Sequence, residues 1–213
     1  MNYKLKLTMI CACLVVAGCS VLAPRPDHSR FFILTPVADG TDPSATVASA
    51  SLSSQLVIGV GPIAFPDYLR QPQIVTLTGP HQIDLSVEDR WAEPLDENFT
   101  RVFSENLAHL LNTHRIERYP WPRTNPVDYQ VVVDVQSFET TKDGQSQMIA
   151  RWVIKDGRSG KDLYAYETTA GTPVDTGDTG ASAALSADLA TLSRGVASQI
   201  VELSQYRVNT SMN

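Results

Sequence analysis

The chain has 213 residues, of which 43% are hydrophobic and 19% are charged, a composition that suits one globular domain with a sizeable core. Asp and Glu outnumber Lys and Arg by 23 to 17, which gives a formal net charge of −6. Such an acidic chain repels a phosphate backbone, so nucleic acid is excluded as an expected partner.

The first eighteen residues have the organisation of an export signal. Lys4 and Lys6 precede an apolar stretch over residues 7–16, and an Ala-Gly pair closes it immediately before Cys19. The stretch is shorter than the about 20 apolar residues that a permanent membrane span needs. We therefore expect residues 1–18 to be a signal peptide that is cleaved.

The ending Ala17-Gly18-Cys19 resembles the lipobox of bacterial lipoproteins. That resemblance implies that Cys19 carries a covalent diacylglycerol and an N-acyl chain, and at about 0.8 kcal/mol per buried methylene these chains anchor a protein stably. Ser20 stands where retention in the inner membrane would favour Asp, so the sorting rule implies the outer membrane, with the body facing the periplasm. An ordinary secretory signal that contains a cysteine is the alternative.

Processing would leave a body without a free thiol. Cys11 and Cys13 leave with the signal and Cys19 is consumed by lipid, so disulfides, thiolate catalysis and cysteine metal sites are excluded. Loss of Lys4 and Lys6 lowers the net charge from −6 to −8.

The body predicts strands and then a helix, twice over. In the first half we predict a tether over 19–29, a strand over 30–35, a mobile loop over 41–54, a strand over 55–60, a hairpin over 73–78 and 81–86, and a helix over 95–111. In the second half we predict an antiparallel meander over 129–138, 148–154 and 163–169, and a helix over 185–203. The helices have apolar side chains on one face, at Leu95, Phe99, Val102, Phe103, Leu107, Leu110 and Leu111 in the first and at Leu185, Leu189, Leu192, Val196, Ile200 and Leu203 in the second.

Two amphipathic helices and alternating strands predict an α/β (α+β) fold of two layers. We expect a mixed, mostly antiparallel sheet with both helices on one face. The domain is predicted over residues 30–206, followed by a C-terminal tail over 207–213.

No motif in the chain specifies an enzyme. His28, His81, His109 and His114 lack the spacing of metal ligands, so no metal site is expected. An acidic group could hold a catalytic pair, although a solvated loop and helix start explain it more simply; its members are Asp84, Glu88, Asp89, Glu93, Asp96 and Glu97.

Two other stretches are unusually specific. Residues 61–75 join two predicted strands with three prolines and two aromatic residues, and residues 89–95 lead directly into the first helix. Because proline fixes the backbone and removes a donor, we expect a stiff loop over 61–72 that presents Phe65 and Tyr68. Packing of these two rings against the core is the alternative.

Both stretches resemble the ABC-type transport auxiliary lipoprotein family, which includes the PqiC (YmbA) proteins. The matching residues are Val60, Gly61, Pro62, Pro66, Asp67, Tyr68, Leu69, Pro72, Gln73, Ile74 and Val75, the run Arg90–Glu97, and Phe99, Arg101, Asn106 and Leu107. Gln71 stands where the family usually has Arg, and Tyr119-Pro120-Trp121 is also similar to the family.

The resemblance implies a non-enzymatic outer-membrane subunit of an MCE-type (PqiABC-like) system that transports lipids between membranes. Its partner would be the MCE-domain protein anchored in the inner membrane, and a ring of copies is expected because a conduit must surround a path. The candidate partner-binding residues are Phe65, Asp67, Tyr68, Arg70, Arg90, Trp91 and Glu93. The alternative is a periplasmic lipid carrier with its own apolar cavity, and an enzyme is the least favoured class.

Overall fold

A computed structural model describes residues 27–36, 56–122, 124–177 and 179–211 of the chain. The predicted signal peptide, Cys19, most of the predicted tether and the predicted loop over 41–54 lie outside these ranges.

Within the described ranges the chain forms one eight-stranded sheet that does not close into a barrel, and two helices. The strands are β1 (Arg30–Phe32), β2 (Ile58–Ala64), β3 (Gln73–Gly79), β4 (Gln82–Trp91), β5 (Ile116–Arg118), β6 (Tyr129–Thr141), β7 (Ser146–Asp156) and β8 (Asp162–Ala170). The helices are α1 (Leu95–Leu110) and α2 (Gly180–Ser211), and a single 3-10 turn covers Asp67–Arg70.

Strand β6 lies at the centre of the sheet. One of its edges pairs with β7 along its whole length, and β7 pairs in turn with β8. The opposite edge is shared, because β2 pairs with residues 129–134 and β3 with residues 140–141. The chain between β2 and β3 therefore leaves the sheet and returns to the same edge, and residues 65–72 form this detour.

The three antiparallel pairings, β3–β4, β6–β7 and β7–β8, are the long ones. The four parallel pairings, in which β1 pairs with β4, β2 with β5 and β6, and β3 with β6, each join two to five residue pairs. Both helices pack on the same face of the sheet, α1 over β2 and β5 and α2 over β6, β7 and β8. The predicted mixed sheet with two helices on one face is confirmed.

The core forms between that face and the helices. Val131, Val133 and Val135 of β6 alternate with more exposed residues, so every second side chain reaches the helices. Phe99 of α1 is fully buried, and its ring contacts those of Phe65, Phe103 and Phe138 at centroid distances of 5.1, 6.1 and 5.3 Å. Asn106 of α1 donates to the Ser193 hydroxyl of α2 at 3.1 Å and so links the two helices.

Most elements differ from their predicted bounds by a few residues, strand β1 ends at Phe32 and not at residue 35, and β5 was not predicted. Three further differences are larger or have a clear cause. Strand β2 continues through Gly61-Pro62 to Ala64, because a register shift between Val60 and Ile63 absorbs the proline while pairing to β6 resumes beyond it. Strand β4 runs on to Trp91. The second helix begins five residues earlier than predicted, at Gly180, where small residues give no periodic apolar signal. It also continues to Ser211, so the predicted C-terminal tail over 207–213 is helical as far as that residue.

Candidate functional site

Three segments that stand out in the sequence meet where α1 begins. The Trp91 amide donates to the carbonyl of Pro72 at 2.7 Å, and the Tyr119 amide donates to the carbonyl of Val60 at 2.9 Å. The three segments are named the proline segment (61–75), the helix-entry segment (89–95) and the Tyr-Pro-Trp segment (119–121). Residues far apart in the chain therefore build one surface.

An open groove of about 530 Å³ lies on this surface, between the end of β2, the first turns of α1 and the end of β5. It is lined by Val60, Gly61, Pro62, Ile63, Asp96, Glu97, Thr100, Arg118 and Tyr119. Its wall is apolar along β2 and carries charged and hydroxyl groups on the α1 and β5 sides.

Two glycines allow the Tyr-Pro-Trp segment to pack closely on β2. A Cβ atom at Gly59 would lie 2.6 Å from the Trp121 ring, and one at Gly61 would lie 2.9 Å from Cβ of Tyr119. Gly61 also has a φ of 108°, which favours glycine. Tyr119 and Trp121 form an edge-to-face pair at 5.6 Å, so two aromatic rings in contact lie along this part of β2.

Charges of both signs line or flank the groove. Asp96 and Glu97 lie in the first turn of α1, where the helix dipole favours acidic groups. Arg118 is exposed on the β5 side, and the Arg70 guanidinium lies 3.8 Å from the Asp96 carboxylate. Asp67, 3.6 Å from Arg70, is almost fully exposed. The exposed members of the predicted set, Asp67 and Arg70, therefore lie beside the groove.

Phe65 and Trp91 are buried in this monomer. Phe65 packs edge-to-face against Phe99, and Trp91 belongs to the same core cluster. For Phe65 the structure shows the core-packing arrangement that the sequence left open. Their packing holds the proline and helix-entry segments against α1.

Tyr68 fastens the detour to the sheet. Its hydroxyl donates to the Glu139 carboxylate at 3.0 Å and lies 3.4 Å from the carbonyl of Gln136, at the part of β6 that neither β2 nor β3 covers. Burial raises the pKa of Glu139, and hydrogen bonds from the Phe138 amide and from Tyr68 partly oppose that rise. Burial and the neighbouring Glu139 also raise the pKa of Tyr68 above its usual range. The pair acts as a buried link between the detour and β6.

Glu93 and Arg90 complete the predicted set. Glu93 accepts from Arg101 at 2.7 Å and from the Asn98 amide, and the Arg101 hydrogen bond lowers the pKa of Glu93. Asn98 in turn accepts from the Leu34 amide at 2.7 Å, so this small network joins α1 to the chain after β1. Arg90 lies opposite Gln73 in the sheet and is partly buried.

None of the nine lining residues belongs to the predicted partner-binding set. Val60, Gly61, Pro62, Asp96 and Glu97 lie among the family-like positions, whereas Ile63, Thr100 and Arg118 gave no such signal. The family-like Tyr-Pro-Trp segment was the available signal for Tyr119. Arg118 belongs to β5, a three-residue strand that is too short to give a periodic pattern.

Within the described ranges, no three His, Cys, Asp or Glu side chains come together as metal ligands. None of the helices described is both long and apolar enough to span a bilayer.

Comparison with curated proteins finds no match. Among solved structures, a DUF330 protein from Xanthomonas campestris matches with a TM-score of 0.65 at 14% identity, over 84% of this chain and 99% of that chain. A crystal structure of an uncharacterised protein matches with a TM-score of 0.63 at 19% identity, over 81% and 98%. At these identities the likeness shows a shared fold.

A PelC dodecamer from Paraburkholderia phytofirmans is more distant. It matches with a TM-score of 0.41 at 14% identity, over 70% of this chain and 90% of that chain.

The sequence also matches a family model, that of the ABC-type transport auxiliary lipoprotein component, over residues 41–197. That range holds the proline segment, the helix-entry segment, the Tyr-Pro-Trp segment and the whole groove. Because the match spans well over half of the 213 residues, the chain belongs to the ABC-type transport auxiliary lipoprotein family.

Proposed function

We propose that this chain is the outer-membrane lipoprotein subunit of an MCE-type, PqiABC-like lipid transport system. Acylated at Cys19 and facing the periplasm, it would dock the far end of the MCE protein that is anchored in the inner membrane. Its role is non-enzymatic. The observation that carries the proposal is the convergence of the proline segment, the first turns of α1 and the Tyr-Pro-Trp segment on one open groove.

The groove suits an extended polypeptide. Strand β5 pairs with residues 58–60 of β2, whereas β2 runs on to Ala64, so the described residues leave residues 61–64 without a strand partner on the β5 side. An unpaired strand edge can accept a further strand, and neighbouring side chains then supply specificity. Glu97 and Arg118 offer charges of opposite sign for that purpose.

A lipid carrier is the second candidate, because about 530 Å³ falls within the roughly 300–1,000 Å³ of typical ligand cavities. Its lining argues against that use. Asp96, Glu97, Thr100 and Arg118 are charged or hydroxyl-bearing groups, and acyl chains would have to desolvate them without satisfying them. The docking proposal explains the mixed lining better.

Charge reversal in the groove tests the proposal. We would purify the acylated protein with the periplasmic part of its MCE-domain partner and compare Glu97→Arg and Arg118→Glu with the parent. Both side chains are exposed, so folding should be unaffected. We expect each variant to weaken binding by roughly tenfold or more, equivalent to about 1.4 kcal/mol.

The matched control is Lys161→Glu, an exposed charge reversal in the turn before β8. It should leave binding unchanged. Full binding by both groove variants would overturn the assignment of the groove. Recovery of stoichiometric phospholipid with no affinity for the MCE protein would replace the docking proposal with the carrier.

A further inference from the structure

We infer that the domain lies on the membrane surface through an exposed apolar patch on β4 and on residues 31–33, at and just after β1. Five large apolar side chains form it, with exposed fractions of 64, 47, 38, 42 and 86% for Phe31, Ile33, Ile83, Leu85 and Val87. Groups of exposed apolar side chains on adjacent elements mark surfaces that contact another protein or a membrane. None of the five lines the groove.

The sheet register places members of the patch from both strands on one side of the sheet. Phe31 lies opposite Arg90, Arg90 lies opposite Gln73, and Leu85 lies opposite Val75. Residues directly opposite each other share a face, as do residues two apart on one strand, so Phe31 and Leu85 point to the same side. Since α1 and α2 cover the other face, this side of the sheet carries no helix in the described part of the chain.

An irregularity in β4 lies within the patch. Five steps along β4, from Leu85 to Arg90, oppose only two steps along β3, and the Ser86 hydroxyl accepts from the Asp89 amide across the resulting bulge. Val87 lies at the bulge and is the most exposed large apolar residue described. The nearby charges of Arg30 and Asp89 pair at 2.7 Å, which lowers the cost of bringing them close to lipid.

The position of the lipid anchor identifies the occupant as a bilayer. Cys19 and Arg30 are eleven residues apart, and a fully extended chain of that length spans at most roughly 40 Å. Strand β1 is therefore the described element that the anchor holds nearest to the membrane along the chain. Apolar area removed from water there would contribute about 25 cal/mol per Å². This step rests on the proposed acylation of Cys19, and it does not depend on docking.

Site-directed spin labelling tests the inference, because the processed body is expected to have no other free cysteine. We would label Phe31→Cys, Val87→Cys and, as control, Tyr166→Cys in the acylated full-length protein. Tyr166 is 58% exposed on β8, at the opposite edge of the sheet. Acylation is verified by mass spectrometry, and the protein is reconstituted in vesicles of phosphatidylethanolamine and phosphatidylglycerol.

We expect the ratio of oxygen to nickel-chelate accessibility to be higher at positions 31 and 87 than at position 166. Equal ratios at all three positions would overturn the inference. Immobilised labels at 31 and 87 with mutual spin–spin broadening would show that a second copy covers the patch, and immobilisation without broadening would show that the chain itself does. Either result also overturns it. Binding of the MCE protein, measured separately, reports on the proposed function.

Discussion

The meander region (β6, β7, β8 and α2) and the groove region (β2, β5, the detour and the start of α1) place their core residues in different ways. In the meander region a periodic pattern of apolar residues forms the core, so any apolar residue of suitable size at an inward position would maintain the packing. The groove region depends on particular residues. Gly59 and Gly61 leave room for aromatic rings, and Tyr68 reaches a buried carboxylate across a gap in strand pairing. Residues of the family-like motifs can therefore stabilise the fold and need not bind a partner themselves. The exposed groups beside them remain accessible to a partner.

Each region nevertheless uses one buried acid to fasten a loop. Glu139 holds the detour through Tyr68. In the meander region Asp188 of α2 accepts from the hydroxyls of Ser146 at 2.6 Å and Thr172 at 2.7 Å, and burial raises its pKa. The meander region therefore also contains one specific interaction, the hydrogen bonding of Asp188 to the loop that follows β8.

Phe99→Ala should have the largest effect on stability. The ring joins the groove region to the meander through its contacts with Phe65 and Phe138, and its removal leaves a cavity in a fully buried site. We expect a loss of about 3–5 kcal/mol in the free energy of unfolding, measured by urea titration. Tyr166→Ala, at an exposed position, should change it far less. A loss below about 1 kcal/mol for Phe99→Ala would mean that the two regions do not share a core.

Gly61→Ala should come next. The new methyl group would meet Tyr119 at 2.9 Å on a backbone with φ of 108°, so backbone strain and overpacking add to about 2–4 kcal/mol. Gly79→Ala is the control, since nothing lies within 4 Å of that position. Thermal unfolding of both variants gives the comparison. Equal stability of the two variants would show that the groove region does not require a glycine at position 61 for the packing of Tyr119.

Tyr68→Phe should have the smallest effect, and one that depends on pH. Removal of the hydroxyl leaves the buried Glu139 carboxylate with one hydrogen bond fewer, at a cost of about 1–3 kcal/mol when Glu139 is charged. Because the folded-state pKa of Glu139 is raised, its stabilising contribution is complete at low pH and is lost as the pH rises through that pKa.

The hydroxyl favours the charged form, so its removal raises the pKa of Glu139 further and enlarges this loss. Urea unfolding should show a greater cost of Tyr68→Phe at pH 8 than at pH 5. Tyr119→Phe, which alters an exposed ring, should show no such dependence. If Tyr68→Phe lowered the free energy of unfolding equally at both pH values, its effect would not depend on the ionisation of Glu139.

The sequence predicted the meander and both helices because their signals are local. The alternation from Val131 to Val135 and the helical spacing of Leu95, Phe99 and Val102 are confirmed. The sharing of one β6 edge by β2 and β3 could not be predicted, since it is a pairing between distant residues. The groove was missed for the same reason, as Arg118 and Glu97 become neighbours only after β5 pairs with β2. For Phe65, the family-like motif did not distinguish a binding role from packing.

The segment that follows β1 has a mechanical consequence. The Leu34 amide donates to the Asn98 side chain of α1, the Thr35 amide donates to the Ser186 hydroxyl of α2, and the Leu34 side chain is fully buried. Any force applied at the N-terminal end of the domain first meets the three residue pairs of β1 and then these two attachments. The force would therefore be distributed over the sheet edge and both helices. A protein anchored at its N-terminus would then resist the force without its strands unfolding one after another.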